Sequence, residues 1–207
     1  MAALNPLAPL VATDLVRAFG DRSVLDGVSL VANPAEPVGL IGENGVGKST
    51  LLRILAGVDR PESGSVLAPD DLAYLGQEPT FAPGTTVGAV VRDVLAPLHK
   101  ALARLERLAL ATGRGDPAAD EAYASTLAWA EHHDAWDADR RSELAAARLG
   151  LAALERDRPV DELSGGERTR LALGAIITRR PDAVLLDEPT NHLDDTGSSP
   201  PRAARSW

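Results

Sequence analysis

The nine residues GENGVGKST at 42–50 set glycines at 42, 45 and 47 ahead of Lys48, Ser49 and Thr50. They match G-x-x-x-x-G-K-[ST]. Glycines let the backbone curl until its N–H groups face an anion. A helix opening there adds a favourable dipole. Lys48 is suited to neutralise β- and γ-phosphates, and Ser49 to ligate magnesium. Read without its flanks, the stretch would be a Gly-rich turn before a helix.

A second chemical constellation lies at AVLLDEP, 183–189, a short apolar run ending in two carboxylates. The run predicts a buried parallel strand. At its end Asp187 can hold magnesium through water, and Glu188 can polarise an attacking water as general base. Alone, these residues also read as a strand ending in a solvated acidic turn. A third constellation, LSGGERTRLALG at 163–174, predicts a helix with Ser164 as N-cap and Glu167 as its capping-box partner. A Ser-Gly-Gly helix start is also an anion site.

The elements around these segments are legible from periodicity. LVATDLVRAF, SVLDGVSLVA and PVGLIG are β-like runs, punctuated by turns at Gly20-Asp21 and Asn33-Pro34. A helix is expected from Lys48 to Ala56, stopped by Gly57. LAYLG is strand-like and leads to Gln77. Val87, Val90, Val91, Val94, Leu98, Leu102, Leu105 and Leu108 recur at helical steps, predicting a long amphipathic helix. Thr112 to Pro117 breaks it; further helices are expected from about Ala118 to Glu131 and Ala138 to Gly150.

Composition bounds the function. The chain has 207 residues, 44% hydrophobic and 25% charged, ordinary for a globular domain. Its net charge of -9 gives no general pull toward nucleic acid or anionic membrane. It has no cysteine, hence no disulfide or thiolate metal site. The first residues make a poor signal peptide, and no apolar run approaches the roughly 20 residues a membrane span needs. A cytoplasmic location is expected.

Together the motifs resemble those of ATP-binding cassette (ABC) ATPases. LSGGE resembles the signature motif, AVLLDE the Walker B strand, NHLD at 191–194 the D-loop, and Gln77 the Q-loop glutamine. The resemblance spans about residues 10–195. DEPTNHLD beside LSGGER, and the long interval from Gln77 to Leu163, resemble the ABC-F branch, first cassette. Its members are soluble two-cassette proteins that act on ribosomes as translation factors or antibiotic-resistance proteins. A transporter cassette with membrane subunits, and a non-catalytic or inert fragment, are the alternative readings.

The resemblance implies an α/β fold: a P-loop NTPase cassette core with N-terminal antiparallel β pieces and an inserted α-helical subdomain or arm. The expected parts are 1–86 (β region and Walker A), 87–160 (helical arm), 161–195 (signature helix, Walker B and D-loop) and an irregular tail, 196–207. It implies ATP contacts from Phe19, Gly42, Glu43, Asn44, Gly45, Val46, Gly47, Lys48, Ser49, Thr50 and Gln77. Magnesium would be held by Ser49, Gln77 and Asp187, with Glu188 catalytic. Leu163, Ser164, Gly165, Gly166 and Glu167 would contact ATP held by another cassette, and Asn191, His192, Leu193 and Asp194 would form the D-loop. Phe19 reads equally as core packing, and Gln77 alone as a surface turn.

A second cassette is the implied partner, with ribosome or rRNA as the implied target. The arm is not strongly basic: Lys100, Arg104, Arg107 and Arg114 make a modest stripe that also reads as a solvated helix face. His132-His133 near Trp129 and Trp136 reads as an exposed polar pair rather than a metal site, because adjacent helix residues point apart. The family has a further central strand and a switch histidine after the D-loop, where this chain has DTGSSPPRAARSW. The expectation is a truncated or frame-shifted product, with weak or no hydrolysis alone.

Overall fold

The computed structural model describes residues 8–113 and 116–188. The segment from Pro189 onward, with the D-loop residues Asn191 to Asp194, and the arm-tip Arg114 lie outside the described residues. Three strands form an antiparallel sheet in the order β2-β1-β3: β1 (Leu10–Phe19), β2 (Arg22–Ala32) and β3 (Ser63–Leu67). β1 and β2 are a hairpin, Leu10 opposite Ala32 and Phe19 opposite Arg22, closed by the expected turn at Gly20. The register slips between Ala12 and Leu15, where Asp14 has φ 49°. Ser29 accepts from the Asp14 N–H at 2.8 Å and so repairs the lost ladder bond. Gly64 faces this bulge; a Cβ there would stand 2.5 Å from the carbonyl oxygens of Thr13 and Asp14.

α1 (Lys48–Leu55) packs Leu51, Leu52, Ile54 and Leu55 into one core with Leu10, Leu15 and Leu25 of the sheet and Leu185. The helix stops as expected, with Gly57 at φ 70°. β4 (Leu72–Leu75) pairs in parallel with β5 (Ala183–Leu186), Tyr74 opposite Leu185. Strand 183–186 is buried on one face only: Leu185 is covered, whereas Val184 and Leu186 are exposed.

The run PVGLIG is not a strand. Residues 33–47 are turns and irregular chain, and Ile41 is 99% exposed beside exposed Val38 and Leu40. A strand requires a ladder partner as well as propensity, and β4, the parallel strand at hand, pairs with β5 instead.

The helical layer follows. α2 (Val87–Thr112) is capped by Thr86, whose hydroxyl accepts from the Ala89 N–H at 3.2 Å. α3 (Pro117–His132) begins with Asp116 as N-cap and Pro117 in the first turn. α4 (Ala138–Arg148) and α5 (Gly165–Arg179) complete it. Leu95, Leu98 and Leu105 of α2 pack on Ala130, Ala135 and Ala138. A second core unites Val87 and Val90 with Leu151, Val160, Leu163 and Leu171, tying the base of α2 to α5. No helix among the described residues is long and apolar enough to cross a membrane.

Candidate functional site

The loop 42–47 wraps over the start of α1. Gly47 is its pivot, with φ 112°. A Cβ there would lie 2.8 Å from the Val24 side chain and 3.0 Å from its carbonyl, so both conformation and space require glycine. α1 has no side-chain cap and no acidic residue in its first turn. Its leading N–H groups therefore have neither a capping side chain nor an acidic residue in their own turn. Lys48 folds back, its Nζ donating to the carbonyls of Gly42 at 2.7 Å and Glu43 at 2.8 Å. Arg22 of β2 donates to the Gly45 carbonyl at 3.1 Å and braces the loop from the sheet. Asn44 and Val46 are exposed on it, and Thr50 is half-buried behind Ser49.

Across the layer, Asp187 meets this loop. Its N–H donates to the Leu75 carbonyl at 2.8 Å, which extends the β4–β5 ladder by one residue. Its carboxylate, 6% exposed, accepts from Ser49 Oγ at 3.1 Å. Two hard oxygen donors, one on a helix start and one on a strand end, thus converge, a donor set suited to magnesium. Glu188 follows with φ 51°, a left-handed conformation rare for a non-glycine residue. Gln77 is exposed in the bend two residues beyond Leu75, where β4 ends.

Tyr74 is a site neighbour that motif matching misses. Burial first, then the negative charge of Asp187, push its phenol above the ordinary range. The alternation in LAYL would have placed it on the opposite side from Ala73 and Leu75, but not beside a carboxylate more than a hundred residues later in the chain. Phe19 is not core: it is 53% exposed, and the Arg17 guanidinium lies 4.9 Å from its ring centroid.

The signature segment forms the expected cap. Ser164 Oγ accepts from the Glu167 N–H at 3.3 Å, and the Glu167 carboxylate accepts from the Ser164 N–H and hydroxyl, each at 2.8 Å. These bonds, the backbone one foremost, hold the Glu167 carboxyl below its usual range. Leu163 is buried, whereas Ser164 and Gly165 are exposed and Gly166 half-buried. Among the described residues, no hydrogen bond joins this segment to the phosphate loop.

The His132-His133 expectation needs correction. His133 is 2% exposed, and its ring stacks at 4.2 Å from Trp129. It caps α3 rather than continuing it, so the helical rule that separates neighbours does not govern it. Lys100, Arg104 and Arg107 are exposed on α2.

A phosphate-type loop on a helix start, facing a carboxylate at the end of a parallel strand, defines a P-loop nucleotide-binding domain. The sequence model of the ABC transporter family matches residues 25–191, and the chain belongs to this family. Its curated relatives include the ABC-F proteins TlrC and EttA. The chain is 43% identical over 198 residues to the tylosin resistance ATP-binding protein TlrC of Streptomyces fradiae, covering 92% of this chain and 36% of that protein. It is 38% identical over 182 residues to the energy-dependent translational throttle protein EttA of Mycobacterium tuberculosis, covering 86% and 32%. The chain thus spans about a third of the length of these relatives. An ATP-binding subunit of an ABC transporter shares its fold, with TM-score 0.60 and 20% identity over 89% of this chain and 68% of that one.

Proposed function

We propose that this chain binds Mg-ATP at the loop 42–50 and hydrolyses it when paired with a second cassette. The observation that carries the reading is the 3.1 Å approach of Ser49 to Asp187, which sets the magnesium donors at the phosphate loop. Lys48 would exchange its two carbonyl partners for phosphate oxygens, and the N–H groups at 45–50 would hold the phosphates. Gln77 would complete the magnesium shell. Phe19 would stack on the base through the face that Arg17 does not cover. Bound magnesium would neutralise charge on the transferring phosphoryl group. Glu188 would orient and polarise the attacking water.

Ser164 to Glu167 would reach the nucleotide of the partner cassette, and Asn191 to Asp194 would line the joint between cassettes. Each chain then holds two half-sites. The names of the two relatives, one a tylosin resistance protein and one a translational throttle, support translation as the target process; binding to the ribosome in the cytoplasm is the corresponding proposal. The test is a steady-state ATPase assay on the purified chain, alone and with a second cassette, with Glu188→Gln as control. Phosphate release that depends on Glu188 supports the reading; release unchanged by Glu188→Gln rejects it. Cosedimentation with ribosomes rather than with membranes tests the target.

A further inference from the structure

The joint between the helical layer and the core holds a cluster that the nucleotide site does not use. His132 ends α3, His133 caps it, and Asp182 lies just before β5. One ring nitrogen of each histidine and one carboxylate oxygen of Asp182 all lie within 4.8 Å of one another. His132 Nε2 is 2.5 Å from Asp182 Oδ1, and the two imidazoles meet edge to face with centroids 5.0 Å apart.

We propose that His132, His133 and Asp182 bind one divalent transition-metal ion, with Zn2+ as the ion of reference. The donor set is two imidazoles and one carboxylate, which favours Zn2+, Co2+, Ni2+ or Cu2+ over Mg2+ and Ca2+. Three protein ligands leave a fourth position for water, and the His132 side chain is 33% exposed, which opens a path to it. His133 is held as metal-ligating histidines are held. Its Nδ1 lies 3.0 Å from the Arg180 carbonyl, which can only accept, so Nδ1 is the donor there and Nε2 is the nitrogen left for an ion.

The surrounding charges are already matched. Asp71 pairs with Arg179, and Asp134 with Arg141 and Arg180. Asp71 also approaches His133 Nδ1 at 3.8 Å. Among the described residues, the ion-pair-distance partner of Asp182 is the His132 ring and no arginine or lysine pairs with it. Bonds of about 2.0–2.2 Å at tetrahedral angles place ligands roughly 3.3 Å apart, so His132 and Asp182 need only open by about an ångström. An ion here would fasten the α3–α4 corner to the link between α5 and β5. The inference is independent of the nucleotide reading.

The test uses the full chain, stripped with chelator and titrated with Co2+ by visible absorption and with Zn2+ by calorimetry. One ion per chain is expected. His132→Ala and Asp182→Asn should each weaken binding at least tenfold, while His99→Ala leaves it unchanged. His133→Ala removes a buried side chain and is unsuitable as the sole variant. Should the other two not fold, Co2+-induced broadening of the wild-type histidine ring signals decides; it must fall on His132 and His133 and spare His99. Absence of saturable binding, equal affinity in folded His132→Ala and Asp182→Asn, or broadening elsewhere overturns the proposal.

Discussion

Ser49 and Asp187, 138 residues apart in sequence, are joined by a 3.1 Å hydrogen bond from the serine hydroxyl to the carboxylate. It is a contact between a helix start and a strand end. If the two residues share one magnesium ion, their effects on Mg-ATP binding are coupled. Ser49→Ala and Asp187→Asn should each remove the magnesium-dependent part of the melting-temperature rise on ATP addition, and the double variant should lose no more than either alone. Additive losses would show that they do not act on one ion.

Gly47→Ala should destabilise the chain and abolish nucleotide binding. The new Cβ meets Val24 at 2.8 Å, and φ 112° is itself strained for alanine. A cost of more than about 1 kcal/mol is expected in urea unfolding. Val24→Ala in the same chain should relieve the 2.8 Å side-chain clash but neither the 3.0 Å carbonyl contact nor the backbone strain.

Phe19→Ala should leave stability nearly unchanged, because the ring is already half in solvent. It should weaken ATP binding by about 0.5–1.5 kcal/mol, the usual worth of one aromatic pair, when measured by calorimetry. Unchanged affinity would return Phe19 to a surface role.

The capping box makes a pH prediction. The bonds from Ser164 lower the folded carboxyl of Glu167, so its contribution is fully present above the unfolded value of about 4.3 and is lost as pH falls through the folded value. Glu167→Gln should flatten this acid limb in thermal melts between neutral and acidic pH. Ser164→Ala should cost about 0.5–2 kcal/mol at neutral pH, as loss of an N-cap does.

The helical layer rests on α2, and Leu98 is one of its most buried side chains. Leu98→Ala should cost about 2–5 kcal/mol in denaturant unfolding. Ile41→Ser, at a fully exposed apolar residue, should leave the midpoint unchanged and reduce aggregation, read by light scattering.

Local patterns settled what needed only local physics. The Gly-Lys-Ser loop, the Ser164–Glu167 cap, the stop at Gly57 and the three- and four-residue apolar steps of α2 act within a turn or two of chain, so residue type and spacing suffice. The tertiary structure decided what depends on partners. PVGLIG has strand propensity but finds no ladder among the described residues, Phe19 is exposed rather than buried, and Tyr74 meets Asp187 through the parallel register of β4 and β5. His133 became a buried residue beside Asp182 because α3 ends at His132 and the chain turns there. Burial and pairing are properties of surfaces brought together across the fold, and no window of sequence contains both sides of such a contact.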